Sequence, residues 1–105
     1  MVRGDVHAIS LPKKRGRVQH GDRYAVIVQG DDLLALSTVL VCPTSQSAQP
    51  ASFHPEISLN EEPTQVLCEM VGAADVGRLG EQVGHLSSNE LAAIDDALEL
   101  VLGLS

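Results

Sequence analysis

The sequence predicts an α+β domain, mostly β, that ends in one α-helix. Runs rich in β-branched residues recur along the chain, as in YAVIVQ (24–29), LALSTVLV (34–41) and TQVLCEMV (64–71). Clusters of Gly, Pro, Asn, Asp and Ser punctuate them. Near the C-terminus the apolar spacing becomes helical, and strands followed by one terminal helix form an α+β layering. At 105 residues and 44% hydrophobic content, residues 1–105 read as one domain with one core.

The first predicted strand is RGDVHAISL (3–11), with Val6, Ala8 and Ser10 alternating against Asp5, His7 and Ile9. Pro12, Gly16 and Gly21 then break PKKRGRVQHGD into a long basic loop. YAVIVQ and LALSTVLV, joined through GDD, are expected to form a hairpin. PTSQSAQP (43–50) is a polar loop, and FHPEISL (53–59) is a short strand with Pro55 at an edge or bulge. NEEPT turns the chain into TQVLCEMV, apolar enough for burial on both faces. A helical turn is expected near Ala73–Val76 and a short strand at Gln82–Leu86. Ser87 followed three residues later by Glu90 is a capping box, and Leu91, Ile94, Leu98, Val101 and Leu102 share one face of the helix it starts.

Composition narrows the function. That Tyr24 and Phe53 are the only aromatics argues against a platform that stacks nucleic-acid bases. Cys42 and Cys68 lack metal-ligand spacing and sit in apolar runs, as buried reduced thiols do. No leader or membrane-length apolar run is visible, so a cytoplasmic protein without a membrane span is expected. The net charge of −7 is unevenly distributed. Residues 1–23 hold six basic residues against Asp5 and Asp22, a net of +4, whereas the remaining 82 hold Arg78 against twelve carboxylates, a net of −11. This polarity suggests one face for an anion and another for a basic partner.

His7, His20, His54 and His85 are scattered singly, so no metal site or cofactor is expected. One combination carries chemistry. Arg23 stands at the entry of one hairpin strand, and Thr44 and Ser45 follow the other, so pairing of the strands brings their open ends together. A guanidinium grips phosphate oxygens with two parallel bonds, and a hydroxyl adds an oriented donor or acceptor. The competing reading pairs Arg23 with Asp22 or Asp5 and leaves Thr44 as a turn cap.

RGDV near the start, DRYAVIVQGD, STVLVCPTSQS, VLCEMV and the terminal RLGEQVGHLSSNELAAIDDALELVLGL resemble, in order and spacing, the MazF/PemK toxins of type II toxin–antitoxin systems. The resemblance covers nearly the whole chain. It implies a compact SH3-like β-barrel of MazF/CcdB type with a C-terminal helix, acting as a homodimer and neutralised by a cognate antitoxin. It also implies a metal-independent endoribonuclease of single-stranded RNA, in which the 2′-OH attacks its own 3′ phosphate and leaves a 2′,3′-cyclic phosphate and a 5′-OH.

In that pattern Arg23 and Thr44 are the catalytic pair, with Ser45 and His20 as possible support. Lys13, Lys14, Arg15, Arg17 and Gln46 are assigned to RNA. The chain departs from the family where Tyr24 follows Arg23, where Val18 replaces a loop glutamate, and where Met70-Val71-Gly72 replaces Gln-x-Arg. The general base therefore stays open. So do two alternatives: a non-catalytic binding module, or a CcdB-like toxin directed at a protein such as DNA gyrase.

Overall fold

The computed structural model describes residues 1–10 and 23–104. Within them, strands β1 (Asp5–Ile9), β2 (Tyr24–Ile27), β3 (Thr38–Ser45), β4 (Glu56–Leu59), β5 (Glu62–Val66), β6 (Gly72–Asp75) and β7 (Leu79–His85) precede helix α1 (Ser88–Leu102). All recorded pairings are antiparallel, in the order β4-β5-β3-β2-β1-β7. One edge of β3 faces β2; along its other edge, residues 38–41 pair with β6 and residues 44–45 with β5.

The sheet curls into a half-barrel. A Cβ on Gly84 of β7 would lie 3.6 Å from Leu59 Cδ1 of β4, so the terminal strands approach through side chains. Among the described residues no ladder joins them.

Alternation along the strands builds two cores. Val6, Val26 and Cys42 join the cluster under α1, which Ile94 and Ala97 close from the helix. Ile9, Ala25, Ile27, Val39 and Val41 point to the opposite face and form a second cluster. Tyr24, Ala25, Val26 and Ile27 in sequence along β2 thus supply both faces, which is why YAVI reads as a continuous apolar run.

Helix α1 starts as expected. Ser87 Oγ accepts from the Glu90 N–H at 3.2 Å, and Glu90 Oε1 accepts from the Ser87 N–H at 2.9 Å. Glu90 Oε2 also accepts from the Ser58 N–H at 2.9 Å, tying the helix start to β4. Burial pushes the Glu90 carboxyl up, but the two backbone N–H groups and the Ser87 hydroxyl outweigh it and hold the group below its usual range. Leu91 rides over Gly4, whose φ of 95° only glycine adopts readily and whose missing Cβ would stand 3.0 Å from Leu91 Cδ1.

Several boundaries differ from expectation. The strand predicted at 34–41 starts at Thr38, where pairing with β6 begins at Asp75; before it, the Gln29 side chain donates to the Leu33 carbonyl and accepts from the Leu40 N–H at 2.9 Å, closing the intervening residues into a loop. Residues 31–33 form a 3-10 turn instead. The strand predicted at 64–71 ends at Val66, after which Cys68–Met70 is another 3-10 turn. Of the helical turn expected near Ala73–Val76, Ala73–Asp75 belong instead to strand β6, since the backbone there completes the edge of β3; a 3-10 turn follows at Val76–Arg78. The strand expected at 82–86 spans Leu79–His85, and the one expected at 53–59 is confined to Glu56–Leu59. Leu102, assigned to the buried helix face, is exposed, and Ala97 is buried. Cys42 and Cys68 are buried and free, as expected. No described helix is long and apolar enough to cross a membrane.

Candidate active site

The second core cluster floors a groove of about 650 Å³. Ile9, Ala25 and Val41 lie at its base, and Leu67 and Met70 contribute from the segment after β5. Arg23, Tyr24, Thr38, Thr44, Asp75 and Arg78 are its polar lining residues. Such a mixture, an apolar floor with a few convergent polar groups, suits a ligand held by its charged parts.

The β2–β3 register explains why Arg23 and Thr44 meet here. Ala25 pairs with Pro43, so Tyr24 lies beside Thr44, and the Thr44 hydroxyl donates to the Tyr24 carbonyl at 3.0 Å. Thr44 is buried, with its proton committed to that bond; its oxygen retains acceptor capacity. Arg23 shares the groove-facing side of the strand with Ala25 and Ile27.

Arg23 forms no ion pair among the described residues, and its Nε is buried without a hydrogen-bond partner. The competing Asp5 partner is otherwise engaged: its carboxylate accepts from the Val2 N–H, from Gln82 Nε2 and from His85 Nδ1 at 2.7 Å. A buried guanidinium donor without an acceptor is costly, by about 1–3 kcal/mol, and marks a place prepared for an anion.

A second cation joins it that the sequence reading left unassigned. The Ile9 N–H donates to the Arg23 carbonyl at 2.9 Å and the Ser10 N–H to the Arg78 carbonyl at 3.0 Å. The two arginines therefore flank the end of β1 on opposite sides, and both line the groove. Arg78 is exposed and, among the described residues, has no ion pair. The sequence signal was present, since Arg78 is the only basic residue of the last 82, but only the β1–β7 pairing carries it to Arg23.

Other expected residues fall elsewhere. Ser45 Oγ accepts from the Ser47 and Ala48 N–H groups at 3.2 and 3.1 Å, which makes it a turn cap outside the groove lining. Gln46 is exposed and also outside that lining. Lys13, Lys14, Arg15, Arg17, Val18 and His20 lie outside the described residues. Tyr24, Met70 and Gly72, three of the positions that depart from the family pattern, all line the groove. Among the described residues no three His, Cys, Asp or Glu side chains converge as metal ligands.

Beside the groove wall, His54 Nδ1 contacts the Gln49 carbonyl and Nε2 contacts Glu69 Oε2, each at 2.7 Å. Both ring nitrogens thus face acceptors; the Gln49 carbonyl first, then Glu69, raises the His54 pKa above its usual value. The ring braces Glu69, which lies between Cys68 and the groove-lining Met70.

A Mycobacterium tuberculosis protein provisionally named as a toxin is 34% identical over 106 residues, covering 99% of each chain. Endoribonuclease MazF of Staphylococcus epidermidis is 32% identical over 110 residues, covering 98% of this chain and 92% of its own. A solved mycobacterial endoribonuclease in complex with its cognate antitoxin superposes with a TM-score of 0.80 at 17% identity, covering 100% of this chain and 97% of the other, a likeness of fold. The family model for PemK-like, MazF-like toxins of type II toxin–antitoxin systems matches residues 2–102, and this chain belongs to that family.

Proposed function

We propose that this chain is the toxin of a type II toxin–antitoxin pair and cleaves single-stranded RNA by metal-independent attack of a ribose 2′-OH on the adjacent phosphate. The products are a 2′,3′-cyclic phosphate and a 5′-OH end. The observation that carries this reading is the Arg23 guanidinium, which among the described residues has no ion pair and whose Nε is buried without a partner, in a groove that also holds Thr44 and Arg78. Family membership and the 32% identity to an endoribonuclease named MazF support it.

In this reading Arg23 donates to the non-bridging oxygens as charge grows in the phosphorane. Thr44 acts as an acceptor, because its proton is held by the Tyr24 carbonyl: it takes the 2′-OH hydrogen bond and aims that oxygen at phosphorus. Arg78 grips a neighbouring phosphate across the end of β1. The basic residues Lys13, Lys14, Arg15 and Arg17 extend the grip along the backbone without reading bases.

The partner is a cognate antitoxin whose acidic, flexible segment folds over the same cations, and the toxin works as a cytoplasmic homodimer. One observation favours a non-catalytic binding module instead: Tyr24, Met70 and Gly72 depart from the family pattern within the groove itself.

A 2′-deoxy substitution separates the two. Replacing the single ribose 5′ to the mapped cut should abolish cleavage at that site while binding persists. Cleavage that survives the substitution would overturn the mechanism, and RNA bound but never cut would establish the binding module.

A further inference from the structure

Cys42 and Cys68 take no part in the chemistry above, yet the register sets them opposite each other. Thr44 pairs with Val66 and Ser45 with Gln65. The Leu67 N–H donates to the Pro43 carbonyl at 2.9 Å, and the next step of the same antiparallel register is Cys42 against Cys68. Hydrogen-bonded and non-bonded pairs alternate along such a ladder, which makes 43/67 the bonded pair and 42/68 the non-bonded one. The backbone agrees: the Cys68 N–H turns away to the Phe53 carbonyl at 3.3 Å, and Cys42 pairs on the other edge of β3 with Val26.

Cα atoms of non-bonded antiparallel pairs lie about 4.5 Å apart. A disulfide spans about 4.4–6.8 Å between Cα atoms. Both thiols are free, fully buried and in the same core cluster. Each also feels the other: the Cys42 thiol lowers the pKa of Cys68, and Cys68, together with burial, pushes Cys42 up.

We propose that Cys42 and Cys68 form a redox-modifiable dithiol, which hydrogen peroxide converts to a disulfide that ties the Cys68–Met70 turn to β3 beside Thr44. The entry route is the turn itself. Its Glu69 and Met70 are exposed, and opening it releases two short-range backbone bonds, Met70 N–H to Leu67 O and Val71 N–H to Cys68 O, together with the Cys68 N–H bond to the Phe53 carbonyl and the His54–Glu69 contact, to admit a molecule little larger than water.

The Cys68 thiolate attacks one peroxide oxygen; the O–O bond breaks, leaving a sulfenic acid on Cys68 and a hydroxide that takes the thiol's proton. The Cys42 sulfur then attacks the Cys68 sulfur. The S–S bond forms, the S–O bond breaks, and the hydroxyl leaves as water with the Cys42 proton. Two thiols are oxidised and one peroxide is reduced to two waters. The link joins a groove-lining segment to the strand that carries Thr44, so it stiffens the groove.

The test is peptide mapping of the peroxide-treated protein, alkylated under denaturing conditions and cut after glutamate. Cleavage after Glu56, Glu61 and Glu69 separates Cys42, Cys68 and Met70 onto different fragments. The expected result is one linked pair of fragments holding Cys42 and Cys68 within a single chain, separated by thiol reductant. Oxidised wild type should also melt higher than reduced wild type, a rise absent in Cys42→Ser. In that variant a sulfenic acid on Cys68 should be trapped by dimedone. Met70 sulfoxide reports that peroxide reached the protein. Two alkylated cysteines in chains already carrying that sulfoxide would overturn the proposal, as would links found only between chains or a melting point unchanged by a complete link.

Discussion

Replacing Arg23 by alanine should remove activity while leaving the fold in place, and the structure sets the size of both effects. Arg23 has no ion pair among the described residues, and its Nε is a buried donor without an acceptor. Removing such a donor relieves about 1–3 kcal/mol of unsatisfied desolvation. The lost stem packing costs about 0.8 kcal/mol for each methylene that was fully buried, and Arg23 is only half-buried. The two contributions nearly cancel, so the melting point should stay within a few degrees of wild type.

Catalysis should behave differently. One preorganised donor to a developing oxyanion is worth about 10²–10³ in rate, or about 2.7–4 kcal/mol. Arg23→Lys keeps the charge but not the planar fork and should fall between the two proteins. Initial rates on a fluorogenic RNA, read beside thermal melts, test both predictions. Full activity in a folded Arg23→Ala protein would refute the reasoning. So would a collapse of melting temperature parallel to the loss of rate, since it would make Arg23 a structural residue.

Thr44→Val keeps the shape but removes the acceptor, and initial rates should fall by about 10² or more, with Thr44→Ser retaining most activity; equal rates for the two would contradict the acceptor role. Arg78→Ala should weaken RNA binding about tenfold at low salt and flatten the dependence of affinity on salt by close to one phosphate contact; an unchanged salt slope in a filter-binding titration removes Arg78 from the groove's grip.

Glu90→Gln should cost about 1 kcal/mol near neutral pH in urea melts. The Glu90 pKa is depressed on folding, so this stability is present above the unfolded-state pKa and disappears as pH falls through the folded one. A gap between the two proteins that persists in strong acid would refute the ionic contribution. Glu61→Gly should stabilise the protein by about 0.5–1 kcal/mol, since Asn60 and Glu61 both hold positive φ, at 54° and 66°, in the two-residue turn between β4 and β5; a lower melting point would show that the Glu61 side chain outweighs its backbone strain.

How far the fold is legible in the sequence depends on how local its causes are. The start of α1 is written in Ser87 and Glu90, three residues apart, and the structure reproduces the box. Strand β2 is written in four consecutive residues. The delayed start of β3 is not, because it is set by a distant partner: pairing with β6 begins at Thr38 against Asp75. GAAD has the composition of a helical turn and becomes a strand only because β3 offers an open edge.

The same rule divides the site. Arg23 and Thr44 are brought together by one hairpin, so strand pairing could be reasoned from the chain. Arg78 arrives through β7 lying against β1, a pairing that no local pattern announces. Ser45, adjacent to Thr44 in sequence, is drawn into a turn because its hydroxyl accepts from the Ser47 and Ala48 N–H groups.

The most direct test of the central claim is cleavage of a long single-stranded RNA by the purified chain in excess EDTA, with the new ends characterised chemically, beside Arg23→Ala. The account predicts discrete cuts bearing a 2′,3′-cyclic phosphate and a 5′-OH, lost in the variant. RNA left intact by a folded, RNA-binding protein, or cuts that end in a 5′ phosphate, would contradict it.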